Sequence, residues 1–186
     1  MLSPAIRRAR QLGRDEQGAT AVEFALLALP FFVLIFAILE TAMTFFAQQV
    51  LESALQDASR FIRTGQSQTS WNEAAFRQAI CDRGYGFIQC DGNRLWIKVA
   101  PATDFAAAAT QIQKPVADEC TVLADPAACD WSLAQAYDDG VGSDVIIAQA
   151  FYKWPTLINV PWFNLANQAG GNRLLSAVRV FKNEPF

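Results

Sequence analysis

The chain has 186 residues, of which 52% are hydrophobic and 18% charged, and it contains no histidine. This length allows one compact domain beside a membrane segment. The net charge is −3, with four arginines among the first eighteen residues and an acidic remainder, which argues against a nucleic-acid-binding protein because such proteins present a basic face.

A long apolar run lies close to the N-terminus. It reads GATAVEFALLALPFFVLIFAILETAMTFF from Gly18 to Phe46, and no charged residue occurs between Phe24 and Leu39. A bilayer core of about 30 Å requires roughly 20 mainly apolar residues of helix. Residues 19–45 are therefore predicted to form a transmembrane helix.

Charges around this run predict its topology. Residues 1–18 are predicted to be a cytoplasmic leader, because basic residues that flank a membrane helix stay in the cytoplasm. Glu23 and Glu40 are expected near the two interfaces, and residues 46–186 are predicted to form a periplasmic or extracytoplasmic domain. The alternative is a cleaved secretory signal ending near residues 40–43, but the run is long for one and the apolar pattern continues past it. The basic residues are Arg7, Arg8, Arg10 and Arg14.

The apolar pattern continues beyond the membrane segment as an amphipathic helix. Apolar residues recur at three- and four-residue steps up to Ile62, and Arg63 followed by Gly65 is a helix stop signal. A helix from Ala19 to about residue 64 would be ~70 Å long. Pro30 lies in its membrane half, where it is expected to kink or loosen the helix.

The remaining segments predict one more helix and three strands. Residues 102–140 show no sustained period, and Pro101 is expected to end the first strand. The fold class predicted is α+β, with a small antiparallel sheet packed on the apolar stripe of the long helix. The predicted segments are a helix from a capping box at Ser70–Glu73 to about Cys81, and strands at Arg94–Val99, Asp144–Trp154 and Leu174–Phe181.

Four cysteines, Cys81, Cys90, Cys120 and Cys129, lie in the predicted outer domain. Two neighbouring pairs have the same short spacing, which suggests two local disulfide loops, although four cysteines allow three connectivities and the sequence does not select among them. A zinc site is the competing interpretation, but without histidine or a CxxC spacing it would need four scattered thiolates. Disulfides in an oxidising periplasm are favoured.

Other polar clusters give little support to a metal site or an enzyme. The segment Asp138–Asp144 offers oxygen ligands for calcium but lacks the full EF-hand pattern, so no metal and no cofactor are predicted. Ser-His and Cys-His nucleophile pairs are unavailable without histidine. A hydrolase using carboxylates would need one of raised pKa in a cleft, and nothing in the sequence requires it. The chain is predicted not to be an enzyme.

The connection between residues 154 and 163 is unusually apolar and contains Trp154, Trp162 and Phe163. Two interpretations compete. Either it covers the sheet as part of the core, which we favour, or it is an exposed patch for a partner subunit or the membrane surface.

The N-terminal segment resembles the signal of type IV pilins and pseudopilins. The matching residues read GATAVEF from Gly18 to Phe24 and follow the arginines. The longer sequence GATAVEFALLALPFF is similar to that of the TadE-like proteins of the tight-adherence (Tad) pilus. The last ten residues, AVRVFKNEPF, are similar to a C-terminal pattern of that family. The resemblance covers the first 45 or so residues and these ten, and the middle only in outline.

This resemblance implies a minor pilin or pseudopilin used in adhesion or secretion. A prepilin peptidase would cut between Gly18 and Ala19, and Glu23 would pair with the Ala19 ammonium of a neighbouring subunit. Pro30 would accompany helix unwinding on assembly. The partners implied are other pilins and pseudopilins, platform proteins of the inner membrane and membrane lipid. The alternative is an uncleaved single-pass adaptor or scaffold of the pilus machine.

Overall fold

The structure is a computed structural model and describes residues 19–68, 70–90, 93–160 and 162–186. The chain divides into two compact units, Met1–Leu39 and Glu40–Phe186. The leader predicted at residues 1–18 lies outside the described residues. The domain boundaries predicted from the sequence stay predictions.

Helix α1 runs from Ala19 to Arg63 without interruption, as the sequence predicts. It ends where expected: Gly65 has φ +73°, and its N–H donates to the Ile62 carbonyl at 3.0 Å. Glycine is favoured at this position because a left-handed residue closes a helix end without a Cβ clash.

Helix α2 spans Glu73–Arg83, and its capping residue differs from the prediction. The capping box was expected to start at Ser70, but Asn72 is the N-cap, and its side-chain oxygen accepts from the Ala75 N–H at 2.9 Å. Asparagine satisfies the free N–H groups of a first turn as well as serine does. The helix therefore begins later than predicted.

A four-stranded sheet lies in the unit Glu40–Phe186, here named the outer unit after its predicted side of the membrane. Its strands are β1 (Leu95–Ala102), β2 (Ala136–Tyr137), β3 (Val145–Pro155) and, last in the chain, β6 (Asn172–Lys182), in the order β2-β1-β3-β6. The three long strands pair antiparallel, but β2 is parallel to β1, so the sheet is mixed rather than purely antiparallel. The predicted α+β class is confirmed.

Pro101 does not end β1, contrary to the prediction. It pairs with Ile146 of β3, and the strand continues to Ala102. β2 reaches only Lys98 and Val99, so one edge of β1 is open at Pro101. Proline is tolerated at an open edge because no ladder hydrogen bond is lost there.

Short elements occupy the connections. Helix α3 spans Phe105–Thr110 and a 3₁₀ turn spans Pro126–Cys129, both within the region predicted to lack a period. Between β3 and β6, strands β4 (Asn159–Val160) and β5 (Phe163–Asn164) form a two-residue antiparallel hairpin.

The main core lies between the outer half of α1, from Glu40 to Arg63, and one face of the sheet. Ala47, Leu51, Leu55, Ala58 and Ile62 are all fully buried. Their three- and four-residue spacing places them on one helix face. From the sheet this core takes Leu95, Ile97, Val99, Ile146, Ala148, Ala150, Tyr152, Leu175 and Ala177.

The opposite face of the sheet is also covered. Trp96 is fully buried there, packs on Phe151 at 5.7 Å between ring centroids, and donates to the Leu133 carbonyl at 2.9 Å. The buried Gln149 accepts from the Gln113 N–H at 3.3 Å. The irregular segment before β2 is therefore part of the domain's packing.

Candidate functional site

The implied processing site falls at the boundary of the described chain. Gly18 lies outside the described residues, and α1 begins at the next residue, Ala19. Both residues keep their roles as predictions.

Glu23 is exposed near the start of α1, among apolar side chains. Its neighbours Val22 and Phe24 are 59% and 71% exposed. Within the described ranges, no side chain forms an ion pair or hydrogen bond with its carboxylate. A carboxylate in apolar surroundings is costly unless it finds a partner. Glu23 is thus available to a cation from outside these residues.

Pro30 lies inside α1, and the helix continues through it. Its ring nitrogen has no hydrogen to donate, so one backbone hydrogen bond is lost at this turn. A membrane helix tolerates this only with local rearrangement. Its assembly role stays a prediction.

The part of α1 before Glu40 exposes large apolar side chains along its whole length. Among the described residues, one helix is long and apolar enough to cross a membrane, and it is this one. A helix that is apolar all round matches a lipid environment. Between 49% and 74% of each of these side chains is exposed: Val22, Phe24, Leu26, Leu27, Leu29, Phe31, Phe32, Leu34, Phe36, Ile38 and Leu39.

Glu40, the next charged residue after this apolar run, is buried and fully engaged. Its carboxylate accepts from the Leu157 N–H at 2.5 Å and from the Ile158 N–H at 3.1 Å. Hydrogen bonds to a charged group are about twice as strong as neutral ones. Glu40 therefore ties the loop after β3 to the helix.

The three candidate aromatic residues of this loop have different environments. Trp154 packs on the main core, with its ring stacked on Phe87 at 6.4 Å. Phe163 is half-buried in β5, whereas Trp162 is 74% exposed. The favoured core interpretation thus fits Trp154 and does not fit Trp162.

The cysteines form two local pairs in the structure. Cys81 joins Cys90, with Cα atoms 6.0 Å apart, and Cys120 joins Cys129, with Cα atoms 4.8 Å apart. The first pair packs against the main core, and the second is part of a small separate cluster with Val116. All four cysteines are therefore used in local loops.

The C-terminal residues close the end of α1. Asn183, which is buried, donates through Nδ2 to the carbonyls of Asp139 and Val141 at 2.9 and 3.0 Å. The Glu184 N–H donates to the Arg63 carbonyl at 2.9 Å. This satisfies one of the carbonyls that a helix end leaves free.

The carboxylates considered for calcium are used within their own loop. Asp138 accepts from the Gly140 N–H, and Asp144 accepts from the Val141 N–H, both at 3.0 Å. Among the described residues, no group of three or more acidic, cysteine or histidine side chains is arranged to hold a metal ion.

Asp139 is engaged with side chains outside that loop. The Ser67 hydroxyl donates to it at 2.7 Å. The half-buried phenol of Tyr137 lies beside it, and burial together with the Asp139 charge raises the pKa of Tyr137 well above its usual range.

Sequence reasoning missed the engagement of Glu40 and of Asn183. The partners of Glu40 lie 117 and 118 positions further along the chain, so no local pattern reports them. The available signal was that Glu40 follows the uncharged run directly, where a carboxylate must find water or a partner.

Comparison with known proteins supports the resemblance at the N-terminus. Residues 18–60 match the family model described as TadE-like protein. The N-terminal segment is TadE-like. The match includes Glu23, Pro30 and Glu40, and it does not reach the last ten residues. No curated protein and no solved structure matches the chain.

The matched segment contains the part of α1 that is long and apolar enough to cross a membrane. This is consistent with a membrane-anchored protein.

Proposed function

We propose that this chain is a minor pilin, or pseudopilin, that takes part in assembly of a Tad-type pilus for adhesion or secretion. The observation that supports it most is Glu23. This carboxylate is the one acidic group on a helix segment that otherwise exposes only uncharged side chains between Thr20 and Leu39. The TadE-like match begins just before it.

The proposed precursor spans the inner membrane once, with its arginine-rich leader in the cytoplasm. The orientation follows from the positive charges, because arginine flanking a membrane helix stays inside. A prepilin peptidase then removes residues 1–18 and frees the amine of Ala19. The sheet domain faces the periplasm, where its cysteine pairs are stable.

In the proposed assembly, Glu23 of one subunit pairs with the Ala19 ammonium of a neighbour. An unpaired charge among apolar side chains and lipid is costly, so subunits that satisfy the pair are favoured over those that do not. The apolar surfaces of α1 pack against other pilin helices, and the pairing fixes their axial register.

The first test is the mass of the mature N-terminus. We expect a chain isolated from native cells to begin at Ala19, and the variant Gly18→Leu to keep residues 1–18, because a bulky residue blocks the cut. A wild-type chain that retains its leader contradicts this proposal. It would leave the uncleaved single-pass adaptor or scaffold of the pilus machine as the function.

The second test separates processing from assembly. Glu23→Gln should be cleaved normally yet fail to enter pili, because the amide cannot neutralise the ammonium. Glu119→Gln is the matched control, since Glu119 is exposed in the outer unit and loses the same charge. Normal incorporation of Glu23→Gln into sheared pili would refute the pairing.

A further inference from the structure

The loop between β3 and β6 combines an apolar surface with a lack of charge. No charged residue occurs between Lys153 and Arg173. Leu157 is 89% exposed and Trp162 is 74% exposed. Both flanking cations have partners within the protein, and the partner of Arg173 lies in the loop itself. Lys153 contacts Asp130 at 3.8 Å, and Arg173 donates to the Leu165 carbonyl at 2.9 Å.

The backbone of this loop finds many of its hydrogen-bond partners within the protein. The N–H groups of Leu157 and Ile158 donate to Glu40. Strands β4 and β5 pair with each other, and the Ala166 N–H donates to the Asn164 side chain at 2.8 Å. The Thr156 N–H donates to the Gly171 carbonyl at 2.8 Å. Non-helical backbone can approach lipid only where its polar groups are satisfied in this way.

Glu40 fixes where this loop lies along α1. Glu40 comes directly after the uncharged run that ends at Leu39, so in a membrane-spanning helix Glu40 lies at the outer end of the span. Its carboxylate holds Leu157 and Ile158 within hydrogen-bond distance. Leu157 and Ile158 therefore lie beside the residue that directly follows the span in the chain.

We propose that the segment Thr156–Asn167 is an interfacial membrane anchor, with Leu157 and Trp162 inserted among the lipid headgroups and upper acyl chains. Tryptophan is enriched at this depth because its ring is apolar and its N–H is polar. The inference rests on the membrane span of the proposed function. It adds that the sheet domain touches the bilayer through a second, non-helical site.

A partner protein is the other occupant that an apolar loop could serve. The observations favour lipid for three reasons. Several backbone N–H groups of the loop already have partners within the protein, and the bonds to Glu40 hold the loop beside the first residue after the span. The loop also lacks the charges that would select a protein partner.

Tryptophan fluorescence can test this contact in the full-length protein. The chain has five tryptophans, and Trp162 is the exposed one. The protein would be reconstituted into phosphatidylcholine–phosphatidylglycerol vesicles carrying phosphatidylcholine brominated at carbons 6 and 7, or at carbons 11 and 12. We expect wild-type emission to lose a component that Trp162→Phe does not lose. That component should be quenched more by the shallow bromines.

A matched control places a tryptophan at the other end of the outer half of α1. Val141 is 63% exposed and accepts from Asn183, next to the helix end at Arg63. The double variant Val141→Trp, Trp162→Phe should therefore show no added quenching. Thermal melts of each variant would establish that the fold is kept, as expected for exposed positions.

Two results would overturn the anchor. One is equal quenching of the wild type and Trp162→Phe in vesicles. The other is a photoreactive phenylalanine analogue at position 162 that labels protein and no lipid in native membranes. Neither result bears on cleavage after Gly18, which the mass of the N-terminus reports, so failure of the anchor and failure of the pilin assignment are distinguishable.

Discussion

Both halves of α1, before and after Glu40, carry many apolar side chains, but these side chains are mostly exposed in the first half and mostly buried in the second. Before Glu40, most of the apolar side chains are exposed, and Leu27, for example, is 74% exposed. Beyond Ala47, Leu55 and its neighbours on the same face are fully buried against the sheet. The inner half is apolar all round, whereas the outer half has a polar face with Glu52 and Gln56.

This difference shows that the hydrophobicity of a helix does not by itself identify what the helix contacts. The distribution of apolar side chains around the helix axis does identify it. A one-sided stripe pairs with a protein core, and an all-round apolar surface requires lipid or other apolar helices. Glu40 lies at the change between the two patterns, and its contacts belong to the outer unit.

The largest expected effect separates the two halves by one leucine in each. Leu55→Ala should lower the free energy of unfolding of the sheet domain by about 2–5 kcal/mol, because it leaves a cavity in a packed core. Leu27→Ala should leave it unchanged. Urea unfolding of the detergent-solubilised protein, followed by tryptophan emission, measures both. Equal effects would contradict the distinction.

The next effect tests how far the outer core depends on its covalent links. Replacing Cys81 and Cys90 by alanine should cost about 2–3 kcal/mol, because the unfolded chain regains the freedom of a short loop. The Cys120–Cys129 pair closes a loop of the same sequence separation, 9, away from the main core. A larger loss for the first pair would show that packing on α1 adds to the loop effect.

The two carboxylates that bracket the apolar run give the third comparison. Glu40→Ala should destabilise the sheet domain by about 1.5–3 kcal/mol, since it removes a charged acceptor from two backbone N–H groups. Hydrogen exchange of the Leu157 and Ile158 amides should also become faster. Glu23→Ala should change neither quantity. If hydrogen exchange of these two amides were unchanged in Glu40→Ala, the role of Glu40 in holding the loop would be ruled out.

The smallest effect depends on pH and is confined to the outer unit. Because the pKa of Tyr137 is raised above its unfolded value of 10.0, the folded state keeps a proton that the unfolded chain releases. Its contribution is present below pH 10 and falls above it, by at most about 1.4 kcal/mol per pH unit. Tyr137→Phe should show a shallower loss of stability between pH 9 and 11. If the wild type and Tyr137→Phe lost stability equally over this pH range, the proposed contribution of Tyr137 would be contradicted.

Periodic patterns predicted the long elements well. The stripe from Ala47 to Ile62 and the stop at Gly65 define α1 because the helix and its end are local features. The alternation of β3 and β6 is also local. The N-cap of α2 was predicted wrongly, because Ser70 and Asn72 are both good N-cap residues and sequence spacing alone does not rank them.

Contacts between distant residues could not be predicted. β2 has two residues and joins β1 through a parallel register that no turn signal specifies. Pro101 was judged by its missing N–H, but whether that N–H is needed depends on how far β2 extends along its neighbour. The partial burial of Trp154 against the core and the exposure of Trp162 likewise depend on how the loop is held by Glu40.

The bond between Glu40 and Leu157 also bears on the order of events during synthesis. The ribosome delivers residue 40 long before residue 157, and β3 finds β6 only when the last residues are made. The Cys81–Cys90 link needs only a short segment and is able to form early. A nascent chain therefore passes through a stage with an unclosed sheet, in which the face of α1 that the sheet later buries is still uncovered.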